Sequence, residues 1–423
     1  MLIFIATALI VSESFLSSLS SVRSANTENF NEKARYVVDG VPYTQKVKGL
    51  SCDYGPLEMV FRYYGINISK YEIFYFSGGG YSMGYGIPVK RFFEMPPRKP
   101  PYSFTCVGDL SVGGPDDYRF LANLFGLSFE IKRPKGSNDK ISWNRYWTEV
   151  KSIIINDTPI VTLVDPLAWP LYREKMNITK NFLLSRSCCV IVIVGFNETN
   201  KTVCVNDQYV GYTKGFYRWV KLEDFRTAVK RAYFELRPSG YSMYIIKKIS
   251  TPLPNEIVYG IVHQRNIQKM KGIRSSYDGM YIQKNFKEFG IDALKALQKD
   301  FKTKFTRYMP IYYILNKITK YFNISYPFHI MSRYFHEEAK SKIIISELLM
   351  EREYMHSYHK KNAILLKTES MYWQDLSILS SKLRDVMART TLVRFIEFSQ
   401  PIIDEMIHKL DNIIDIEKMI VTY

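Results

Sequence analysis

The sequence predicts an α+β domain followed by an all-helical domain. Apolar, β-branched runs such as "IVTLV" (160–164) and "CCVIVIVGF" (188–196) are typical of buried strands. They alternate with segments whose apolar residues recur at helical spacing, and this helical spacing dominates the last part of the chain. The stretch "STPLPNE" after Ile249 has the composition of a linker. We therefore expect the α+β domain to span residues 36–250 and the helical domain residues 251–423.

The α+β part contains a clear order of predicted elements. "PLEMVFRYYG" has apolar residues on one helical face and stops at Gly65, and "DDYRFLANLFG" stops in the same way at Gly126. "SFEIK" then predicts a strand, "WNRYWTEVKSIII" a helix, and "CCVIVIVGF" and "KTVCVNDQYV" two strands joined by the hairpin loop "NETNK". "LEDFRTAVKRAYFEL" predicts another helix and "SMYIIKK" a final strand.

The C-terminal part is predicted to be helical throughout. "FGIDALKALQKDF" repeats apolar residues at Ile291, Leu294, Leu297 and Phe301, and "MSRYFHEEAKSKIIISELLMEREYM" and "YWQDLSILSSKLRDVM" behave alike.

Composition and charge describe a basic globular protein. The 423 residues carry a formal charge of +17, and hydrophobic residues make up 46%, which is ample for a core. The charge is dispersed, no run of five basic residues occurs, and no nucleic-acid-binding motif is present. Specific nucleic-acid binding is therefore not expected. A broadly cationic surface instead favours acidic partners.

The five cysteines are Cys52, Cys106, Cys188, Cys189 and Cys204. They form no CxxC pair and have no Cys/His spacing that suits zinc, so we expect neither a structural metal nor a cofactor. An odd number in so long a chain does not predict a disulfide framework.

The first 25 residues form an apolar leader. "MLIFIATALIV" has the length of a signal-peptide h-region, but no Lys or Arg precedes it, and a short buried N-terminal element is the alternative. Six Asn-x-Ser/Thr triplets are compatible with secretion, and the balance favours an extracytoplasmic over a cytoplasmic location. The sequence offers no other candidate for a membrane span.

Cys52 is the candidate nucleophile. It follows a glycine-containing turn and opens the first predicted helix, whose unpaired N–H groups favour a thiolate. A catalytic thiol also needs a proton acceptor, usually a histidine, and a group that orients this histidine. Gln45, seven residues upstream, is a candidate oxyanion donor.

Several motifs together resemble the N-terminal domain family of butirosin biosynthesis protein H. They are "GLSCDYGPLEMVFRYYGINISKYEIFYFSGGGYSMGYG", "TPIVTLVDPLAWPLY" and "CCVIVIVGFNETNKTVCVNDQY". The helical remainder resembles the domain of unknown function that commonly follows in this family. The resemblance covers nearly the whole chain after about residue 36.

The resemblance implies a papain-like cysteine-protease/acyltransferase fold and transfer of an acyl group from a carrier-protein thioester to an amine. By position, Cys52 matches the family's nucleophile and Asp207 the third member of its triad. The family's histidine is replaced by Cys189, and Ser51 stands where another histidine is expected. No histidine occurs before His263. The implied partners are an acidic acyl-carrier-type protein or a small-molecule amine; the oligomeric state stays open.

Four interpretations of this incomplete triad remain. The chain is a pseudoenzyme or binding module that keeps the fold, or it is an active transferase or hydrolase with a base from elsewhere. Candidate bases are Asp207 and three histidines of the helical domain, His263, His329 and His336.

The other two interpretations are structural. Cys52 and Cys189 would form a disulfide in an exported protein, or both would be inert buried thiols. Asp207 has a structural alternative as well, which is to cap the exit of the hairpin.

Overall fold

The structure is a computed structural model that describes residues 34–46, 52–79, 81, 84–86, 103–105, 115–172, 189–234, 237–238, 240–273, 288–305, 327–351 and 357–422. The chain forms two compact units. Unit 1 comprises the residues up to Tyr43 and Lys132–Ile245, and unit 2 comprises Thr44–Ile131 and the chain from Ile246 onward. The leader predicted for residues 1–25 lies outside the described residues. The boundaries 36–250 and 251–423 stay a prediction.

The described strands and helices are given in chain order. The strands are β1 (Arg35–Val37), β2 (Gly84–Gly86), β3 (Ser103–Thr105), β4 (Leu127–Lys132), β5 (Ile160–Val164), β6 (Cys189–Asn197), β7 (Thr202–Asn206), β8 (Arg218–Lys221), β9 (Tyr233–Phe234), β10 (Arg237–Pro238), β11 (Met243–Lys248) and β12 (Glu288–Phe289). The helices are α1 (Tyr54–Tyr63), α2 (Lys70–Phe76), α3 (Pro115–Leu124), α4 (Asp139–Ile155), α5 (Tyr212–Gly215), α6 (Leu222–Lys230), α7 (Asn255–Met270), α8 (Gly290–Asp300), α9 (Pro327–Glu351), α10 (Ser357–Arg389) and α11 (Leu392–Thr422).

Unit 1 is built on an antiparallel sheet in the order β11-β5-β6-β7-β8, and β1 also pairs with β6. Every residue of β5 is buried, as the apolar run predicts. The predicted hairpin is confirmed as β6 and β7. Gly195 lies at an irregularity of their register, and a Cβ there would approach Tyr36 O to 2.6 Å, so glycine permits the contact with β1.

Helices α4 and α6 cover this sheet with aromatic side chains. Trp143 stacks on Trp147 with ring centroids 5.6 Å apart, and both rings meet Phe225 of α6. The helix predicted for 222–236 ends earlier, at Lys230, because Tyr233–Phe234, two residues with high β-propensity, form β9 and pair with β10.

Unit 2 begins with α1, the helix that the sequence predicts before Gly65, and α2 follows it. Helix α1 ends at Tyr63, and Gly65 takes a left-handed φ of 82°. Helix α2 starts with a capping box in which Ser69 and Glu72 satisfy each other's backbone N–H groups. Strand β4 pairs with β11, whose second half, from Ile246, belongs to this unit.

The C-terminal region is helical, apart from the two-residue strand β12, which pairs with β2. This strand is the one departure from the all-helical expectation in the described part of 251–423, and it is too short for a sequence pattern. The long helices α9, α10 and α11 enclose a buried charge cluster, which we name the Lys342 cluster: Lys342, Glu338, Glu369 and Glu417. Among the described helices, none is both long and apolar enough to cross a membrane.

Candidate active site

Cys52 lies two residues before helix α1, which starts at Tyr54. Its side chain is half-buried. The thiol Sγ donates a hydrogen bond to Oδ1 of the neighbouring Asp53 at 3.1 Å. The structure therefore places a partly accessible thiol at a helix start, as the sequence predicts, with a carboxylate as its hydrogen-bond acceptor.

Asp53 occupies the N-cap position of α1 without capping the helix by its side chain. Its backbone carbonyl accepts the first helical bond from Leu57 N at 3.0 Å. An aspartate in this position normally accepts a backbone N–H of the first turn. Here the carboxylate is buried and accepts from the Cys52 thiol and from the hydroxyl of Tyr118 on α3, with Tyr118 Oη 2.8 Å from Oδ2.

Burial raises the pKa of Asp53 above its ordinary value. The hydrogen bonds from Tyr118 and Cys52 and the charge of Lys46 act in the opposite direction but do not cancel the effect of burial. A carboxylate with a raised pKa holds a proton more readily than an exposed one. Asp53 is therefore a stronger base than a surface aspartate.

Gln45, the predicted oxyanion donor, is held by its main chain. Lys70 Nζ donates to the Gln45 carbonyl at 2.7 Å and to Thr44 Oγ1 at 3.1 Å. Thr44 in turn donates to Glu58 Oε2 of α1 at 2.7 Å. The side chain of Gln45 is exposed. Its backbone is thus fixed to α1 and α2, and the oxyanion role of the side chain stays a prediction.

Asp207 follows β7 in unit 1 and is fully buried. Its Oδ2 accepts the indole N–H of Trp169 at 2.6 Å, and its Oδ1 accepts Tyr209 N at 2.9 Å. The Asp207 N–H donates to Gly215 O at 2.7 Å, and its carbonyl accepts from Tyr43 Oη at 3.1 Å. The bond to Tyr209 is the turn contact that the structural alternative expects. The triad role stays a prediction.

The charge of Asp207 also affects Tyr43. Burial, followed by this charge, raises the pKa of Tyr43 to about 12. The phenol therefore keeps its proton and remains a donor to the Asp207 carbonyl.

Cys189 is the first residue of β6, opposite Val164 of β5, and is buried. It lies beside Tyr172, whose pKa is raised by burial and then by Cys189. The Tyr172 ring is 5.8 Å from that of Tyr209. Because Cys189 starts β6 and Asp207 directly follows the antiparallel strand β7, the two residues occupy the same end of the sheet. Cys52 and Gln45 belong to unit 2.

The helical histidines differ in their surroundings. His263 is buried, which lowers its pKa to about 4, so its imidazole is neutral at pH 7. Its Nδ1 lies 3.4 Å from Tyr75 Oη, and its ring lies 4.6 Å from that of His359. His336 is half-buried on α9, and the side chain of His329 lies outside the described residues.

Sequence reasoning missed three residues of these surroundings: Asp53, Tyr118 and Trp169. Asp53 carried a local signal, because it directly follows Cys52 at the start of a predicted helix. Tyr118 and Trp169 carried none, since they lie 65 and 38 residues from their carboxylate partners. Within the described parts of the chain, no group of three or more His, Cys, Asp or Glu could hold a metal ion.

A comparison with family models matches residues 38–237 to the Peptidase_C39 like family. The match includes Gln45, Cys52, Cys189 and Asp207, and it indicates a papain-like fold for this segment and a papain-like cysteine enzyme as its coarse functional class. The closer resemblance to butirosin biosynthesis protein H is not confirmed. Neither the comparison with curated proteins nor the one with solved structures gave a match.

Proposed function

We propose that this protein is a papain-like cysteine enzyme that transfers an acyl group through a thioester on Cys52. One observation carries this proposal: the half-buried Cys52 thiol lies at a helix start and donates a hydrogen bond to a buried carboxylate. A structural cysteine is usually buried in apolar surroundings and has no such acceptor.

The first turn of α1 supports an anionic sulfur. This turn contains no acidic residue, and the carboxylate of the N-cap Asp53 accepts no backbone N–H of the turn. The partial positive charge of a helix N-terminus stabilises an anion by roughly 0.3–1 kcal/mol. This effect favours a thiolate but is too small to replace a proton acceptor.

The proposed chemistry has two balanced steps. The Cys52 sulfur attacks the acyl carbon of a thioester, and the donor leaves as a free thiol that carries the Cys52 proton. An amine then attacks the acyl-cysteine, an amide forms, and Cys52 recovers a proton from the amine. The reaction needs neither an oxidant nor a cofactor.

The identities of donor and acceptor follow from the resemblance. It suggests an acidic acyl-carrier-type protein as the donor and a small-molecule amine as the acceptor. The formal charge of +17 agrees with an acidic donor, since opposite net charges speed association.

The roles of Asp207 and Cys189 rest on the resemblance alone. It predicts that Cys189→His restores the imidazole of the family's triad and raises the rate of acyl transfer at Cys52. A matched Cys204→His variant places the same side chain on β7, where the resemblance assigns no catalytic role. Equal rates in the wild type and Cys189→His would remove position 189 from the chemistry.

The decisive experiment is to trap the acyl-enzyme. The full chain is incubated with acyl-N-acetylcysteamine thioesters of increasing length, and the adduct is located by intact-mass and peptide mass spectrometry. We expect a hydroxylamine-sensitive adduct on Cys52 that disappears in Cys52→Ala. Cys204→Ser is the control and should keep the adduct, because Cys204 is buried and its pKa is raised to about 12. An adduct that persists in Cys52→Ala, or none with any donor, contradicts the proposal.

A peptide hydrolase is the second candidate, because the matched family model is of peptidase type. The two candidates differ in the acceptor that resolves the acyl-cysteine. Transfer predicts that added amines shorten the lifetime of the adduct and appear in the product. Hydrolysis predicts a lifetime that is independent of amine and cleavage of peptide substrates.

A further inference from the structure

We propose that Asp53 replaces the missing histidine: it accepts the Cys52 proton and returns it to the leaving group, and Tyr118 positions it. This inference rests on the proposed function, in which Cys52 carries the acyl group. It assigns a catalytic role to a residue outside the triad that the resemblance implies.

The geometry is that of a proton-transfer pair. Asp53 Oδ1 and Cys52 Sγ are 3.1 Å apart, and Tyr118 Oη occupies the other carboxylate oxygen at 2.8 Å. Because Oδ2 is held by the phenol, Oδ1 stays directed at the sulfur. The Asp53 side chain does not make the N-cap hydrogen bond to a backbone N–H that an aspartate usually makes at a helix start. Its carboxylate accepts a hydrogen bond from the thiol instead.

Charge conservation favours this acceptor in a buried site. Ionising the thiol beside a carboxylate would place two negative charges next to each other, which is unfavourable at low dielectric. Moving the proton from Sγ to Oδ1 keeps a single negative charge. The pKa of an ordinary thiol lies about 4 to 5 units above that of an ordinary aspartate. Burial raises the pKa of Asp53 and therefore reduces this difference.

The steps balance with Asp53 as the carrier of the proton. As Sγ attacks the thioester, its proton passes to Oδ1, and the departing thiolate takes that proton and leaves as a thiol. As the amine attacks the acyl-cysteine, Asp53 accepts the amine proton while Cys52 leaves as a thiolate. The proton then returns to the sulfur, and the pair is restored.

The test measures how fast iodoacetamide alkylates Cys52 in the full chain at different pH values, with peptide mass spectrometry as the readout. In the wild type we expect two steps: a shoulder at mildly acidic pH, where the pair shares one proton, and a rise at higher pH. Asp53→Asn should give a single step in the plot of alkylation rate against pH. Its Cys52 should be alkylated more slowly than in the wild type at the pH of the shoulder, and faster near pH 8, because the variant has no carboxylate that repels the thiolate. The proposal is overturned if the alkylation rate of the wild type rises in one step, at the same midpoint pH as in Asp53→Asn.

Tyr118→Phe keeps the test valid if Asp53→Asn does not fold. The bond from Tyr118 lowers the pKa of Asp53, so its removal should move the acidic end of the shoulder to higher pH. Tyr146→Phe is the matched control, because this buried hydroxyl bonds Thr162 in unit 1, and its profile should equal that of the wild type. A shoulder that is unchanged in Tyr118→Phe also contradicts the proposal.

The acylation assay separates this inference from the proposed function. If the wild type forms the adduct on Cys52, Asp53→Asn should form it roughly 100-fold more slowly or worse, the usual effect of losing a general base. A wild type without adduct would overturn the proposed function, while the alkylation profile would still decide whether Asp53 shares the proton. Equal acylation rates in the wild type and Asp53→Asn would refute the catalytic role.

Discussion

Trp169 Nε1 lies 2.6 Å from Asp207 Oδ2, and both side chains are fully buried. The bond joins the segment after β5 to the exit of β7, so it fixes the carboxylate that the resemblance assigns to the triad. Water does not reach either group. The indole N–H is therefore a donor that the solvent cannot replace.

Trp169→Phe removes this donor and part of the aromatic volume. We expect the free energy of unfolding to fall by about 2–4 kcal/mol, since a buried carboxylate loses a hydrogen bond and a cavity opens. Urea denaturation followed by circular dichroism measures the change. Trp147→Phe is the control: its indole bonds Glu198 Oε1 at 2.7 Å, but that side chain is 26% exposed and also pairs with Lys151. Equal losses in both variants would contradict the role of burial.

Gly215 permits the close approach to the Asp207 backbone. A Cβ on Gly215 would lie 2.2 Å from Asp207 O, where no side chain fits. We expect Gly215→Ala to lower the free energy of unfolding by about 1–3 kcal/mol, because the backbone must shift. Gly260→Ala in α7 is the control, since its Cβ would meet nothing within 4 Å and alanine favours a helix. A thermal melt that ranks the two variants in the opposite order would contradict this prediction.

The elements that the sequence predicted well are those set by neighbouring residues. The β6–β7 hairpin follows from two apolar runs around a polar loop, and α1 ends where Gly65 takes a positive φ. Cys52 at the start of α1 follows from the same signals. Periodicity and turn residues act over a few positions, so one chain is enough to detect them.

The contacts that define the sites act over long separations and escape this reasoning. Tyr118 reaches Asp53 over 65 residues, and Lys342 reaches Glu417 over 75. Helical periodicity assigns charged residues to the solvent face. A buried charge becomes visible only when the opposite charges that compensate it are placed around it.

The Lys342 cluster makes α9, α10 and α11 dependent on one ammonium group. Lys342 Nζ is fully buried, 2.6 Å from Glu417 Oε1 and 2.9 Å from Glu369 Oε1, and these carboxylates raise the pKa of the lysine. Lys342→Met leaves the carboxylates without their cation. We expect a loss of about 3–5 kcal/mol in the free energy of unfolding, measured by urea denaturation.

Lys409→Met is the matched control for this variant. Lys409 Nζ lies 2.7 Å from Asp375 Oδ2, but these side chains are 22% and 41% exposed. Removing a solvent-exposed ion pair lowers the free energy of unfolding by about 0–1 kcal/mol. If Lys342→Met were as mild as Lys409→Met, the cluster would not hold the helices together.

Glu417→Gln should remove a pH dependence of stability. Burial and the charge of Glu369 raise the pKa of Glu417 well above its ordinary value, although Lys342 opposes them. The folded protein therefore binds this proton more tightly than the unfolded chain, whose glutamates titrate near about 4.3. Binding of this proton stabilises the folded protein fully at a pH below the pKa of the unfolded chain, and the stabilisation is lost as the pH rises through the raised pKa of folded Glu417.

Urea denaturation between about pH 4 and 8 should show this decline in the free energy of unfolding for the wild type and for the exposed control Asp292→Asn, but a flatter curve for Glu417→Gln. Parallel curves for all three proteins would mean that Glu417 keeps the same proton affinity in the folded and unfolded chains.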